Sequence, residues 1–271
     1  MPDLTPGVAS ALSPLIRRVV APNPSAMTGP GTNSYLVGID EVAVIDPGPD
    51  DKKHIDAIVG AAMKERVRWV ILTHTHPDHA PGAQRIKKLT GAEILAFSKK
   101  NAFFEVDATL SDGDTIEGTE WGLEVMHTPG HADDHLCFML EEERVVFTGD
   151  HIMQGTTVIV SDMASYMDSL ERLRKLRRIS RLCPGHGDVI DDFTATIEQY
   201  IEHRKMREKQ VLKALAGGPV KIPEIVAKIY GGVIPDELME VAAHQVHAHL
   251  AKLKKEGKAA GRGFDSTWKA A

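Results

Sequence analysis

Residues 73–80 read THTHPDHA, placing His74, His76, Asp78 and His79 within six positions. Imidazole and carboxylate groups are good ligands for zinc, iron or manganese. An apolar run, VRWVIL at residues 67–72, leads directly into them and predicts a buried strand. The histidines therefore stand where that strand ends and the chain turns. Alternate residues of an extended chain point the same way, so His74 and His76 can share one metal. A turn at Pro77 then lets Asp78 and His79 face a second.

Three more motifs extend the set. His131 closes HTPGH, Asp150 closes FTGD after the apolar run Val145-Val146-Phe147, and His186 lies in PGHG just after Leu182-Cys183. Each candidate ligand follows a short apolar segment and sits in a turn containing Gly or Pro. Strand ends meeting at one sheet edge would bring them together.

In this order, HxHxDH, HTPGH, GD and GH resemble the metallo-β-lactamase superfamily over roughly residues 15–200. The resemblance implies that His74, His76 and His131 hold one metal, that Asp78, His79 and His186 hold the other, and that Asp150 bridges them. It also implies an α/β (α+β) fold, the αββα sandwich, which periodicity alone does not give. Two Zn2+ are the expected cofactors, with Fe or Mn as alternatives. Two metals about 3.5–4 Å apart would hold a bridging water and lower its pKa from ~15.7 to ~7, supplying hydroxide at neutral pH. Asp78 is the expected proton acceptor. His127 is expected behind the ligands, and His135 and His151 either orient ligands in the same way or protonate the leaving group. Thr32 and Asn33, after Gly29-Pro30-Gly31, are expected to touch substrate, and residues 155–157 to line the pocket.

Within the superfamily, TGPGTNSYLVG, HTPGHADDH and GDHIM look like the lactamase-beta-2 branch, with Ala132 where that branch often has Thr. The branch implies an endoribonuclease acting on single-stranded RNA. A glyoxalase II-like thioesterase, a lactonase or a β-lactam hydrolase is the alternative reading. A nucleic-acid-binding regulator with a metal-sensing domain is the third.

The 271 residues suit one large domain plus a small one. Strands are expected at Ile16–Val20, Asn33–Val37, 42–46 and 94–97, and helices at 52–64, 82–89, 101–104 and 165–178. A strand–turn–strand pattern covers 115–147. Helices at 193–215, 223–230 and 235–256 and a hairpin at 257–271 resemble a winged helix. The expected domains are thus residues 1–200, catalytic, and 201–271, winged-helix-like.

The chain carries a formal charge of −6, which argues against a general polyanion binder. The charge is uneven: residues 203–271 hold 13 basic and 7 acidic side chains, the remainder 19 and 31. Few Arg or Lys stand at the start of the third tail helix, so duplex DNA is not an expected partner. That helix carries His244, His247 and His249 near its middle; His244 and His247, three apart, could bind metal but read as polar contacts beside the apolar stripe. The tail reads as a packing or homodimerisation module. No run of eighteen apolar residues predicts a membrane span, and the first eighteen residues do not read as a secretory signal. Cys137 and Cys183 lack CxxC spacing and read as small buried apolar side chains in a reducing, cytoplasmic setting.

Overall fold

The computed structural model describes residues 4–62, 64–99, 104–155 and 157–271. The expected helix at 101–104 and the expected pocket residue Thr156 fall wholly or partly outside them. Described Phe104 packs partly buried against a core cluster.

Seven strands form the first sheet in chain order: β1 (Ala9–Ala11), β2 (Ile16–Val20), β3 (Asn33–Val37), β4 (Glu41–Ile45), β5 (Arg66–Ile71), β6 (Glu93–Ala96) and β7 (Ala108–Thr109). Strands β1 to β4 pair antiparallel, whereas β4 to β7 pair parallel. The crossovers from β4 to β5 and from β5 to β6 run through helices α1 (Lys52–Ala61) and α2 (Ala83–Thr90), as is usual for parallel neighbours. The carboxylate of Asp51 accepts the His54 N–H and caps α1.

The second sheet has the order β12-β11-β10-β9-β8. Its strands are β8 (Thr115–Glu117), β9 (Gly122–His127), β10 (Leu136–Leu140), β11 (Val145–Gly149) and β12 (Arg181–Pro184). All its pairs are antiparallel except β11 with β12.

Side-chain alternation sorts the first sheet between two cores. Tyr35 and Val37 of β3, Ala43 and Ile45 of β4, and Trp69 and Ile71 of β5 meet Leu136, Phe138 and Leu140 of β10 between the sheets. The alternate residues Leu36, Val42, Val44 and Val70 pack with Ile55 and Ile58 of α1 and Ile86 of α2. Strands β3, β4 and β5 thus bury apolar side chains on both faces, which is why β4 and β5 read as continuous runs. Cys183 sits in the core between the sheets.

The remaining helices are α3 (Met163–Leu173), α4 (Phe193–Leu215), α5 (Ile222–Tyr230) and α6 (Met239–Lys255). A small sheet of order β13-β15-β14 completes the chain, with β13 (Val220–Lys221), β14 (Ala259–Ala260) and β15 (Thr267–Ala270). The α6 stripe Ala242, Val246, Leu250 and Leu253 packs with Val211, Leu215, Ile222, Ile225 and Trp268 in a separate core. His244 and His247 lie beside that stripe against the Phe264 ring, at 4.8 and 5.5 Å between centroids.

Two compact units result. One comprises residues 1–128, 134–157 and 176–193; the other comprises 129–133, 158–175 and 194–271. The second unit thus takes in α3 and two loop segments besides the tail, and the expected boundary near residue 200 lies inside α4. No described helix is long and apolar enough to cross a membrane.

Candidate metal centre

Strand β5 ends at Ile71, and the chain leaves it through Leu72 and Thr73 into the histidine loop. Its parallel neighbour β4 ends beside it, and Asp46 follows directly. Asp46 adopts a left-handed backbone, φ 50°, uncommon for a residue with a side chain. Its carboxylate accepts the Thr73 N–H at 2.8 Å and the Thr73 hydroxyl at 2.6 Å. The same carboxylate lies 2.9 Å from His79 Nδ1. Since a carboxylate only accepts, His79 carries its proton on Nδ1 and turns Nε2 toward Asp150, 3.4 Å away, and Asp78, 3.6 Å away. His74 Nδ1 lies 2.9 Å from the Thr73 oxygen. With that hydroxyl donating to Asp46, it accepts from His74. Asp46 therefore orients two histidines, one directly and one through Thr73.

The second sheet contributes by the same device. β11 ends at Gly149, directly before Asp150, and its parallel neighbour β12 ends just before Gly185-His186. Ligand-bearing turns thus follow the carboxyl ends of parallel strands in both sheets, the usual binding edge of such sheets. His186 Nδ1 donates to the Gly31 carbonyl at 3.3 Å. Its Nε2 lies 3.2 Å from Asp78, 3.4 Å from Asp150 and 3.2 Å from His79 Nε2.

Two ligand groups emerge. His74, His76 and His131 offer nitrogens within 4.8 Å of one another, and Asp78, His79, Asp150 and His186 do the same with two carboxylates and two imidazoles. A third such group, Asp46, His74 and His79, is the orienting arrangement above.

The electrostatics suit a cation. Burial opposes charge on His186, yet hydrogen bonds to Asp150 and Asp78 and the Asp150 charge raise it to about 9. Burial likewise opposes charge on His79, but Asp150 and Asp46 raise it well above the usual imidazole value. Asp150 is held well below the ordinary carboxylate range despite burial, by the charge of His79 and the hydrogen bond from His186. Two buried carboxylates thus hold protons on two imidazoles. A divalent ion supplies the same compensation, so the residues fit the implied metal.

The other expected residues divide. His135 is fully buried beside a ligand: its Nε2 accepts the Asp150 N–H at 3.2 Å, and its Nδ1 lies 3.0 Å from the Thr128 hydroxyl. His151 is fully buried, with its ring 5.7 Å from that of His135. His127 stacks on Phe97 at 4.2 Å, and its N–H donates to Asp112.

Thr32 and Asn33, expected against substrate, are fully buried. Asn23 donates its amide to the Thr32 hydroxyl. Asn33 donates to the carbonyls of Pro184 at 2.9 Å and Gly187 at 2.8 Å, on either side of His186. Tyr35 donates to the Pro184 carbonyl at 2.7 Å, and buried Arg18 pairs with Asp188 at 3.0 Å. The structure thus gives Thr32 and Asn33 a supporting role.

Two residues have roles that the sequence motifs do not assign. Asp46 is one; its only local signal is the DPG turn after a strand. Asp134 is the other: its carboxylate accepts the N–H and hydroxyl of Thr75, between His74 and His76, at 3.2 and 2.7 Å.

Residues 27–186 match the family described as the metallo-beta-lactamase superfamily, and residues 222–268 match a beta-lactamase associated winged helix domain. The chain is 34% identical to a Drosophila melanogaster beta-lactamase-like protein 2 homolog, covering 94% of this chain and 92% of that protein. It is 32% identical to an atrochrysone carboxyl ACP thioesterase of Aspergillus fumigatus, covering 94% and 85%. A beta-lactamase domain protein from Burkholderia ambifaria shares the fold at TM-score 0.86 and 19% identity, over 100% of this chain and 95% of that one. A metallo-beta-lactamase family protein from Thermus thermophilus does so at 0.81 and 23%, over 96% and 100%. Ligand spacing, sheet architecture and both matched regions agree: the chain is a hydrolase belonging to the metallo-beta-lactamase superfamily, with that superfamily's associated winged helix domain.

Proposed function

We propose that the protein is a dinuclear zinc hydrolase acting on an acyl thioester. The carrying observation is the pair of ligand groups, one of three histidines and one of two histidines with two aspartates. Zinc accepts this nitrogen and oxygen set. His74, His76 and His131 hold one ion; Asp78, His79 and His186 hold the other, with Asp150 shared. When bound, the two ions supply Lewis acidity and a water that ionises near neutral pH.

Asp78 is the proton acceptor in this reading. It is the half-buried member of its group, with a side chain 28% exposed, whereas His79, Asp150 and His186 are 10% or less. Burial works against its charge, but the His186 hydrogen bond and the His79 charge hold it below the usual carboxylate range. It therefore stands ionised at neutral pH, at the open side of the cluster. His135, hydrogen-bonded to the Asp150 N–H, keeps the shared carboxylate in place.

A thioester substrate is favoured by the activity for which the Aspergillus fumigatus relative is named and by the acidic balance of residues 1–202, which repels a polyanion. Single-stranded RNA is the second reading, favoured by the basic balance of residues 203–271.

Zinc-loaded protein should hydrolyse an acyl-pantetheine thioester and leave end-labelled single-stranded RNA intact. Asp78→Ala should lower turnover at least ~100-fold, within the usual range for loss of a positioned proton acceptor. RNA cut by wild type but not by Asp78→Ala or chelated protein would replace the thioester with the second reading. Hydrolysis undiminished in Asp78→Ala would remove Asp78 from the chemistry.

A further inference from the structure

Residues 158–160 adopt no regular secondary structure, yet every backbone hydrogen bond described for them goes to a side chain within the second compact unit. The Val158 carbonyl accepts from Arg204 on α4 at 2.7 Å. The Ile159 carbonyl accepts from His131 Nδ1 at 2.7 Å. Val160 donates its N–H to the Gln245 amide oxygen on α6, and its carbonyl accepts from the Gln245 amide nitrogen, both at 3.2 Å.

Gln245 thus meets Val160 as a neighbouring strand would, with one donor and one acceptor. Arg204 also donates to the Gln245 oxygen at 3.5 Å, joining the two clamps. Both are nearly buried, Arg204 3% and Gln245 8% exposed, and Val158 and Val160 are each 2% exposed. The Arg204 guanidinium lies over the Tyr166 ring of α3 at 5.3 Å. On the other side, Ser161 and Asp162 donate backbone N–H groups to the Gly130 carbonyl, at 2.7 and 3.0 Å, directly before His131. The segment is therefore fixed from both sides.

A histidine that ligates through one nitrogen is oriented by what its other nitrogen binds. For His131 that partner is a main-chain carbonyl, which any residue at position 159 retains. Its place is set by the two side chains holding residues 158 and 160. We propose that Gln245 and Arg204, on α6 and α4, are positioning residues for His131. This rests on the reading that His131 ligates a metal.

The test is cobalt titration of the full-length, chelator-stripped protein, followed by visible absorption. Wild type, His131→Ala, Gln245→Leu, Gln245→Glu and Arg204→Lys are compared, with circular dichroism as the folding check. Gln245→Glu keeps the side chain's shape, removes the donor to Val160 and adds a charge that Arg204 faces. It serves if Gln245→Leu does not fold. The expected result is a ~10–100-fold loss of affinity for one cobalt equivalent in the Gln245 variants, the range found for outer partners of ligating histidines. That equivalent is the one His131→Ala abolishes, and its ligand-field band shifts while the other equivalent is kept. Arg204→Lys, which retains a donor for Val158, should lie between. Folded Gln245 variants with wild-type affinity and spectrum for both equivalents would overturn the proposal. If His131→Ala binds cobalt as wild type does, the ligand reading itself falls, and the proposal with it.

Discussion

Asp46 acts at the residue scale through geometry more than through net charge. It ties His79 directly and His74 through Thr73, so one carboxylate sets an imidazole in each of the two ligand groups. Asp46→Asn keeps the shape but replaces one acceptor oxygen with a donor that cannot serve the Nδ1–H or the Thr73 hydroxyl. Zinc affinity should fall ~10–100-fold, read by release to a chromogenic chelator, and both equivalents should be affected. Unchanged affinity would show that packing alone orients the rings. The seven ligand candidates were legible because HxHxDH and its companion motifs state residue type and spacing locally. The roles of Asp46 and Asp134 were not: their partners lie 27 and 59 positions away, and Asp46 alone after a strand reads as a turn residue.

Several elements were legible nearly to the residue. β2, β3 and α4 have the expected bounds, and α5 begins one residue early at Ile222. Where local pattern and backbone disagree, the reading overran. The apolar stripe of α3 continues to Leu176, but the helix ends at Leu173 and Arg178 turns left-handed, φ 58°. The short strands β1, β7 and β13 went unread, because two or three residues carry no period. The turn after β12 shows what an element's end must satisfy. A Cβ on Gly185 would lie 2.5 Å from Asp150 Oδ1 and 2.8 Å from His79 Cε1. The turn has little room to yield, because Asn33 and Tyr35 hold Pro184 and Asn33 also holds Gly187. Gly185→Ala should therefore displace ligands while leaving the fold intact, with turnover down on the order of 100-fold. Full turnover with full zinc content would mean that the turn can shift without cost.

For the whole molecule, acid stability is set partly by histidines buried without charge. His54 is lowered to about 4, chiefly by burial. His249 is lowered to about 3 by burial and then by the charges of Arg204 and Lys252. Among the described residues, neither ring nitrogen of His249 has a hydrogen-bond partner. Both pKa values fall below the unfolded value of 6.5, so the unfolded chain takes up protons first as pH drops. Their contribution is constant above about 6.5, declines as pH falls toward 4 and levels off near 3. A tenfold difference in proton affinity between folded and unfolded chain is worth about 1.4 kcal/mol. Urea unfolding of chelator-treated protein should show a shallower acid slope for His54→Gln and His249→Gln than for wild type. Identical slopes would mean that these rings are already protonated in the folded state.

The cysteine between the sheets has a consequence for redox chemistry. Burial pushes the Cys183 thiol to about 12, so almost no thiolate exists at any pH the fold experiences. Thiolate is the species that attacks oxidants and disulfides. Cys137 is fully buried as well. While the two sheets stay closed, neither sulfur is open to oxidative modification. An enzyme whose relatives include one named for cleaving a thioester thus keeps both of its own thiols out of exchange with thiol-bearing substrates and products.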